Sequence, residues 1–247
     1  METPSLTYVD VRETDSTNRY LRTLCNEKKA EEGLVVSAGF QTAGRGQTGN
    51  HWESEENKNL LFSLLLRPVH IPADRPFRIS QIVSLGIVKA LSRYTDGISI
   101  KWPNDIYWKE KKITGILIEN DLCGKQIFTS IAGIGININQ TLFRSSAPNP
   151  VSLAQITGRQ YDRETLLAEV CNEIMTLYLK DRQSALAGLG DDYRNHLFRK
   201  EGFHLYEANQ EKFSAAIDTV LDTGHLVLKT PQGIRRTFAF KEVSFLL

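Results

Sequence analysis

The stretch Gly39–Trp52, Gly-Phe-Gln-Thr-Ala-Gly-Arg-Gly-Gln-Thr-Gly-Asn-His-Trp, constrains this chain most. It lies between two apolar runs, Leu34–Phe40 and Leu60–Leu66, that read as strands. It sets Gly44, Gly46 and Gly49 around a single arginine, Arg45. Glycine lets a backbone approach a ligand closely. A loop of this kind presents several N–H groups to an anion, and the guanidinium adds a bidentate charge. A second segment, Lys101-Trp-Pro-Asn-Asp-Ile-Tyr-Trp108, places Lys101, Asn104 and Asp105 beside two indoles. It is followed by Lys111, Lys112 and the apolar run Ile113–Ile118. Together these segments predict a pocket for a ligand with a phosphate or carboxylate and a flat or apolar part.

Standard nucleotide signatures are absent. The sequence has no G-x-x-x-x-G-K-[ST], and its G-x-G-x-x-G at Gly44–Gly49 lacks an acidic residue at the right distance. Gly133 and Gly135 form only a bare G-x-G.

Several short motifs occur in one order. They are Asp15-Ser16-Thr17-Asn18; Gln41-Thr42-Ala43-Gly44-Arg45-Gly46 with Trp52; Lys101-Trp102-Pro103-Asn104-Asp105; Lys112 with Gly115-Ile116-Leu117; and Gly133-Ile134-Gly135-Ile136-Asn137. This combination resembles the catalytic domain of biotin protein ligases over about Asp15 to Asn139, and the tail is similar to that family's small C-terminal β domain. The resemblance implies an α+β fold: a mixed-sheet catalytic domain with helices on one side, followed by a small SH3-like β-barrel. The expected boundaries are 1–198 for the biotin- and ATP-binding domain and 199–247 for the barrel.

The local patterns agree with that division. Thr17–Lys29 predicts a helix behind the N-cap residues Asp15 and Ser16. A second helix is expected from Asp74 to about Tyr94. Ile98–Trp102 reads as a strand, Ile106–Trp108 with Ile113–Glu119 as a hairpin, and Gln126–Asn137 as a further strand. Ser152–Gly158 predicts a short helix, Asp162 caps a helix to about Lys180, and Leu186–Phe198 is helical. Beyond Lys200, five short β-type runs alternate with turn signals such as Asp222-Thr223-Gly224. A β unit of about 45–50 residues is expected to lean on its neighbour.

Composition limits the functional classes. A chain of 247 residues, 41% hydrophobic and 24% charged, has the profile of a globular protein. A net charge of +1 gives no field favouring nucleic acid or membrane. Cys25, Cys123 and Cys171 are isolated, which fits neither a disulfide framework nor a CxxC metal site and suggests a reducing, cytoplasmic location. The first residues show no secretory signal, and no apolar run approaches a membrane span. The chain is expected to act as a monomer or weak homodimer.

The resemblance implies ATP-dependent activation of biotin as biotinyl-5′-AMP, with transfer to one lysine of the biotin carboxyl carrier domain of a carboxylase. Such chemistry needs positioning and charge stabilisation rather than a protein nucleophile. Accordingly, there is no G-x-S-x-G elbow and no recognisable triad. Arg45, Lys112 and Lys101 carry catalysis on this reading; strand alternation leaves Lys111 solvated. Ser16, Thr17, Asn18, Gln41, Gly44, Arg45, Gly46, Gln47, Lys112 and Gly115 hold biotin. Trp52, Lys101, Asn104, Asp105 and Asn137 hold the nucleotide. Asp105 either contacts Mg²⁺ with the phosphates or acts as a structural cap or ion-pair partner. Ser16–Asn18 also read as helix N-cap chemistry, and Trp102 equally as core.

The loop residues Gln47, Thr48, Asn50 and His51 are less basic than in ligases that double as repressors, which predicts looser adenylate retention. About a dozen residues precede Asp15, too few for a helix-turn-helix domain, so no DNA binding is expected. The rival readings are a lipoate or octanoate ligase or transferase, a non-catalytic biotin sensor and a nucleic-acid-binding protein.

Overall fold

The computed structural model describes residues 5–46, 51–144 and 149–246. Its larger sheet is built from β1 (Thr7–Thr14), β2 (Leu34–Gln41), β3 (Leu60–Leu66), β4 (Ile98–Lys101), β5 (Asp105–Trp108), β6 (Lys111–Cys123) and β7 (Gln126–Ile136). The spatial order is β1-β2-β3-β7-β6-β5-β4. Only β1 and β2 run parallel; every other pair is antiparallel, so the sheet is mixed as expected.

β3 reads Leu-Leu-Phe-Ser-Leu-Leu-Leu, and all seven residues are buried. Alternation then serves two faces. Leu60, Phe62, Leu64 and Leu66 join the main core, whereas Leu65 joins a smaller one with Leu21, Ala30, Leu34, Val36 and Ile131. The main core is covered by α2 (Phe77–Leu91) and α4 (Arg163–Arg182), with α3 (Leu153–Thr157) and α5 (Leu189–Asn195) beside them. The helices thus lie on one side as expected, except α1 (Thr17–Asn26). Its Leu21 packs the opposite face at the β2–β3 end.

Element ends follow local chemistry. Ser152 and Gln155 form a reciprocal capping box at α3, which closes on Gly158 with φ +77°. Asp162 accepts from the Thr165 amide at 2.8 Å and starts α4. α2 starts at Phe77 rather than Asp74, because Pro76, with φ −65° and no N–H, suits the helix start. β1 is the strand that periodicity does not announce. It is a sheet edge on which only Val9, Val11 and Thr14 are partly buried.

The C-terminal strands β8 (His204–Ala208), β9 (Glu211–Val220), β10 (Leu226–Lys229), β11 (Arg235–Phe238) and β12 (Ser244–Phe245) form one antiparallel sheet, ordered β11-β10-β9-β8-β12. Glu211–Ala215 of β9 pair with β8 and Ala216–Val220 pair with β10. One strand thereby serves two hairpins end to end, as a curled sheet requires. Among the described residues no ladder joins β11 to β12, so the curl is open there.

The two sheets share packing. Ile100 donates to the His196 carbonyl at 2.7 Å and accepts from the Phe198 amide at 2.8 Å, which extends the β4 edge. Trp102 is 5% exposed, and its Nε1 donates to the Gly224 carbonyl at 2.9 Å; it belongs to the core and the junction, not the site.

α2 and α4 meet at Gly86. A Cβ there would lie 2.6 Å from Ile174 Cγ1 and 2.8 Å from its backbone N and Cα. Backbone atoms cannot yield as a flexible side-chain end can. Gly86→Ala is therefore expected to destabilise by about 1–3 kcal/mol despite its better helix propensity. For a chain this long that corresponds to a fall in Tm of roughly 2–4 °C per kcal/mol, read by thermal unfolding. An unchanged or raised Tm would refute this tight crossing.

Candidate active site

The ladder β3–β7–β6 turns one face to the core and the other to a cavity. The cross-strand pairs Ile116 with Ile134 and Ile118 with Ala132 bring core-facing residues together, while Gly115 with Gly135 and Leu117 with Gly133 lie on the other face. The cavity there is about 110 Å³. Its floor is glycine for a steric reason. A Cβ on Gly135 would lie 2.5 Å from Trp52 Cε2, and one on Gly115 would lie 2.7 Å from Trp52 Cζ3. The indole of Trp52 rests flat against bare backbone, and its Nε1 is buried without a hydrogen-bond partner among the described residues. Gly133 plays the same part for Asn18, whose Oδ1 would lie 2.3 Å from an added Cβ.

The polar end of the cavity is the start of α1. Ser16 is its N-cap by backbone geometry, yet the hydroxyl makes no capping bond. The Thr17 amide donates to Gln41 Oε1 at 2.8 Å, and Thr17 Oγ1 lies 3.1 Å from the same oxygen. Ser63, the single polar residue of β3, donates to Asn18 Oδ1 at 2.6 Å and lies 2.8 Å from Thr17 Oγ1. Asn18 Nδ2 donates to Glu119 Oε2 at 2.9 Å. Ser16, Thr17 and Asn18 are all under 5% exposed, so these groups are held rather than mobile.

Cations line the same cavity. Arg45 pairs across a β-bridge with His51, and its Nη2 donates to Glu119 Oε1 at 3.3 Å. Lys112 Nζ donates to Asp105 Oδ2 at 2.6 Å; Lys111 is exposed, as expected. The inward aim of Lys112 has a backbone cause. Tyr107 pairs with Lys112 but Ile106 pairs with Thr114, so Ile113 is an extra residue in β6. Strict alternation from Gly115 would bring Ile113 and Lys111 to the cavity face. The bulge sends Ile113 to the core and Lys112 to the cavity.

Lys101 faces its cross-strand partner Asp105. Its Nζ donates to Tyr107 Oη at 3.1 Å and sits 4.9 Å from the Tyr107 ring and 5.5 Å from that of Phe245 in β12. Burial lowers its pKa from the ordinary 10.5. Asp105 opposes the shift, and Lys112 and Arg199 add to it.

Of the other expected residues, Gly44, Asn104 and Asn137 fall outside the cavity wall. Gly44 holds the loop base: its carbonyl accepts from the Trp52 amide at 3.0 Å. Gly46 lines the cavity, and Gln47 lies outside the described residues. Asn104 is buried and donates to the Ile116 carbonyl at 3.1 Å, which braces the Trp102–Asn104 turn. Asn137 donates to the Val151 carbonyl at 3.2 Å, and its Oδ1 is buried without a partner among the described residues. A larger groove of about 510 Å³, between Phe77, Ile118 and Phe240, is lined by no lysine or arginine and lacks the cations an anionic ligand needs. Ser63 and Glu119, which the motifs leave out, do not line the cavity but bond to Thr17, Asn18 and Arg45, which do; their signal is a lone polar residue in, or just after, an apolar run. Among the described residues no cluster of three or more His, Cys, Asp or Glu could hold a metal ion.

A bare-backbone floor, a polar helix start and two cations, Arg45 and Lys112, define a site for an anionic ligand with a flat part. The chain belongs to the Biotin/lipoate A/B protein ligase family, whose model matches residues 11–137. It is 31% identical to the bifunctional ligase/repressor BirA of Bacillus spizizenii, over 95% of this chain and 72% of that protein. It is 27% identical to the biotin–[acetyl-CoA-carboxylase] ligase of Mycobacterium tuberculosis, over 74% of this chain and 68% of the other. Its fold is similar to that of the Aquifex aeolicus biotin protein ligase in complex with biotin and ATP, with a TM-score of 0.79, 27% identity and coverage of 96% and 97%.

Two predictions follow from the geometry. Gly135→Ala should displace the indole and shift tryptophan emission to longer wavelength, and the shift should vanish in a Trp52→Phe background. A shift that persists there would place the disturbance elsewhere. The second concerns pH. A lysine whose folded pKa is lowered destabilises fully below that pKa, and the penalty is relieved as pH rises toward its unfolded value. Wild-type stability relative to Lys101→Met should therefore grow as pH rises from neutral toward the ordinary 10.5. Denaturant titrations giving a constant difference would refute the desolvated amine.

Proposed function

We propose that this protein is an ATP-dependent biotin–protein ligase. The observation that carries the reading is the convergence of Arg45 and Lys112 on one small cavity that the Ser16–Asn18 and Gln41 polar network also lines. The biotin and lipoate ligands of this family differ in their head groups. Biotin carries a polar ureido ring, which suits donors and acceptors at Ser16, Thr17 and Gln41. A lipoyl head would be served by a uniformly apolar wall. The relatives named as biotin ligases support the same choice.

On this reading a biotin carboxylate oxygen attacks the α-phosphorus of ATP, and pyrophosphate leaves with the bond electrons. The amine of a carrier lysine then attacks the acyl carbon, AMP departs, and the amine loses a proton. Arg45 and Lys112 stabilise charge on the reacting carboxylate and phosphate. Lys101 adds a third positive charge beside them, and Asp105 holds Lys112 in place until phosphate arrives. Asp105 would hold the Mg²⁺ that accompanies ATP, and that ion would supply charge neutralisation at the phosphates. Trp52, on the glycine floor, supplies the flat surface over which biotin and adenylate lie. Asn137 offers its free carbonyl, and Asn104 acts by shaping the turn that carries Asp105. The acceptor is a lysine of a biotin carboxyl carrier domain. The three unpaired cysteines fit a cytoplasmic setting.

The test is ATP–pyrophosphate exchange with biotin, lipoate or no acid added. Exchange that requires biotin is expected. Arg45→Ala and Lys112→Ala should each lose about 3 kcal/mol of transition-state stabilisation, roughly 100-fold in kcat/KM. Exchange supported by lipoate instead would transfer the protein to the other branch of its family. Biotin binding without exchange would make it a sensor.

A further inference from the structure

We propose that Glu119 is a positioning residue for Arg45, an inference that rests on the ligase reading above. Glu119 lies on β6 two residues beyond Leu117, on the same face of the strand as Gly115 and Leu117 but just outside the cavity lining. Its two carboxylate oxygens divide their work. Oε1 accepts from Arg45 Nη2 at 3.3 Å, and Oε2 accepts from Asn18 Nδ2 at 2.9 Å. Asn18 is in turn fixed by Ser63 at 2.6 Å and wedged against Gly133, where no Cβ could fit. A continuous path therefore runs from the buried strand β3, through the start of α1, to the one arginine of the glycine loop.

The contact leaves Arg45 ready for a ligand. Glu119 engages Nη2 alone. The Nε of Arg45 is buried and has no hydrogen-bond partner among the described residues. A buried N–H donor without a partner is costly, and a ligand oxygen can satisfy it. A guanidinium binds carboxylate or phosphate through two parallel N–H groups, and Nε with the second hydrogen of Nη2 forms one such edge. Glu119 thus steadies the fork from one side and leaves the other for the reacting anion. Without it the Nη2 of Arg45 would lose the carboxylate that fixes it.

Glutamine is the discriminating replacement. It has the same shape but one acceptor oxygen, and its NH₂ would face the donor of Asn18 or of Arg45. Glu119→Gln should lower kcat/KM for biotin-dependent pyrophosphate exchange by about 10- to 100-fold, the scale of a displaced catalytic group. Its thermal midpoint should stay near that of the wild type, because the Arg45–Glu119 pair is about one-third exposed. A residue acting through Arg45 has nothing to position once Arg45 is gone. In an Arg45→Ala background Glu119→Gln should therefore cause no further loss, whereas independent effects multiply. Glu119→Asp, which keeps the charge, should recover part of the activity. Equal activity of Glu119→Gln and wild type, or losses that multiply in the double variant, would overturn the positioning role. Should Glu119→Gln lower the melting temperature, the double variant still decides. Wild-type protein without biotin-dependent exchange would overturn the ligase reading and this inference with it.

Discussion

The register of β3, β7 and β6 is the constraint on which the rest depends. Along these strands every second side chain is committed to a core of leucine and isoleucine; of the residues between, Leu65 and Ile131 join the smaller core, and Gly133, Gly135 and Gly115 floor the cavity. The two commitments differ in kind. Burial of each large aliphatic side chain contributes about 1.5–3 kcal/mol, so the core face drives folding. The glycine face contributes no such burial and is tolerated because Trp52 and Asn18 fill the space it leaves. A slip of one residue would put isoleucines into the cavity and glycines into the core. Stability and site geometry therefore hang on the same pairing, and the core enforces the site.

The electrostatics show how such a site can wait without ligand. Arg45 is paired with Glu119 and Lys112 with Asp105, each at roughly one-third side-chain exposure. Pairs this exposed contribute about 1 kcal/mol or less, which is enough to orient a side chain and too little to resist a better partner. A phosphate or carboxylate in the cavity can make charge-assisted bonds of about 1.5–3 kcal/mol. Exchange of carboxylate for ligand then runs downhill at Lys112. At Arg45 the guanidinium has enough donors to keep one partner and accept another.

Much of this was legible in the sequence. Strands, helices and caps follow from periodicity and from Ser152, Asp162 and Gly158. The cavity residues Ser16, Thr17, Asn18, Gln41, Arg45, Trp52 and Lys112 come from short motifs. What escaped did so for particular reasons. β1 lacks a buried face to mark it. α1 sits on the cavity side because Leu21 has its own small core, which depends on a chain path that no local pattern encodes. Alternation alone puts Ile113 rather than Lys112 beside the cavity, and only the bulge corrects it. Glu119 looks like the polar end of an apolar strand until Asn18 and Arg45, far away in sequence, close on its two oxygens.

The small C-terminal sheet adds a second support, reached through aromatic rings. Phe245 of β12 stands 5.0 Å from Tyr206 and 6.4 Å from Phe198, and its ring faces the Lys101 amine that Tyr107 also contacts. Arg199 binds the Leu246 carbonyl at 2.8 Å and so holds the end of this strand. A cation between two rings is stabilised by their faces as well as by Asp105, while its burial lowers its pKa. Trp102, one residue after Lys101, is anchored to Gly224 of the same unit. The distal sheet thus grips the Lys101–Trp102 segment at both residues. Displacing it would free the lysine closest to the junction while leaving the glycine floor and the α1 network untouched, because those are built entirely within the larger sheet and the helix that packs against it.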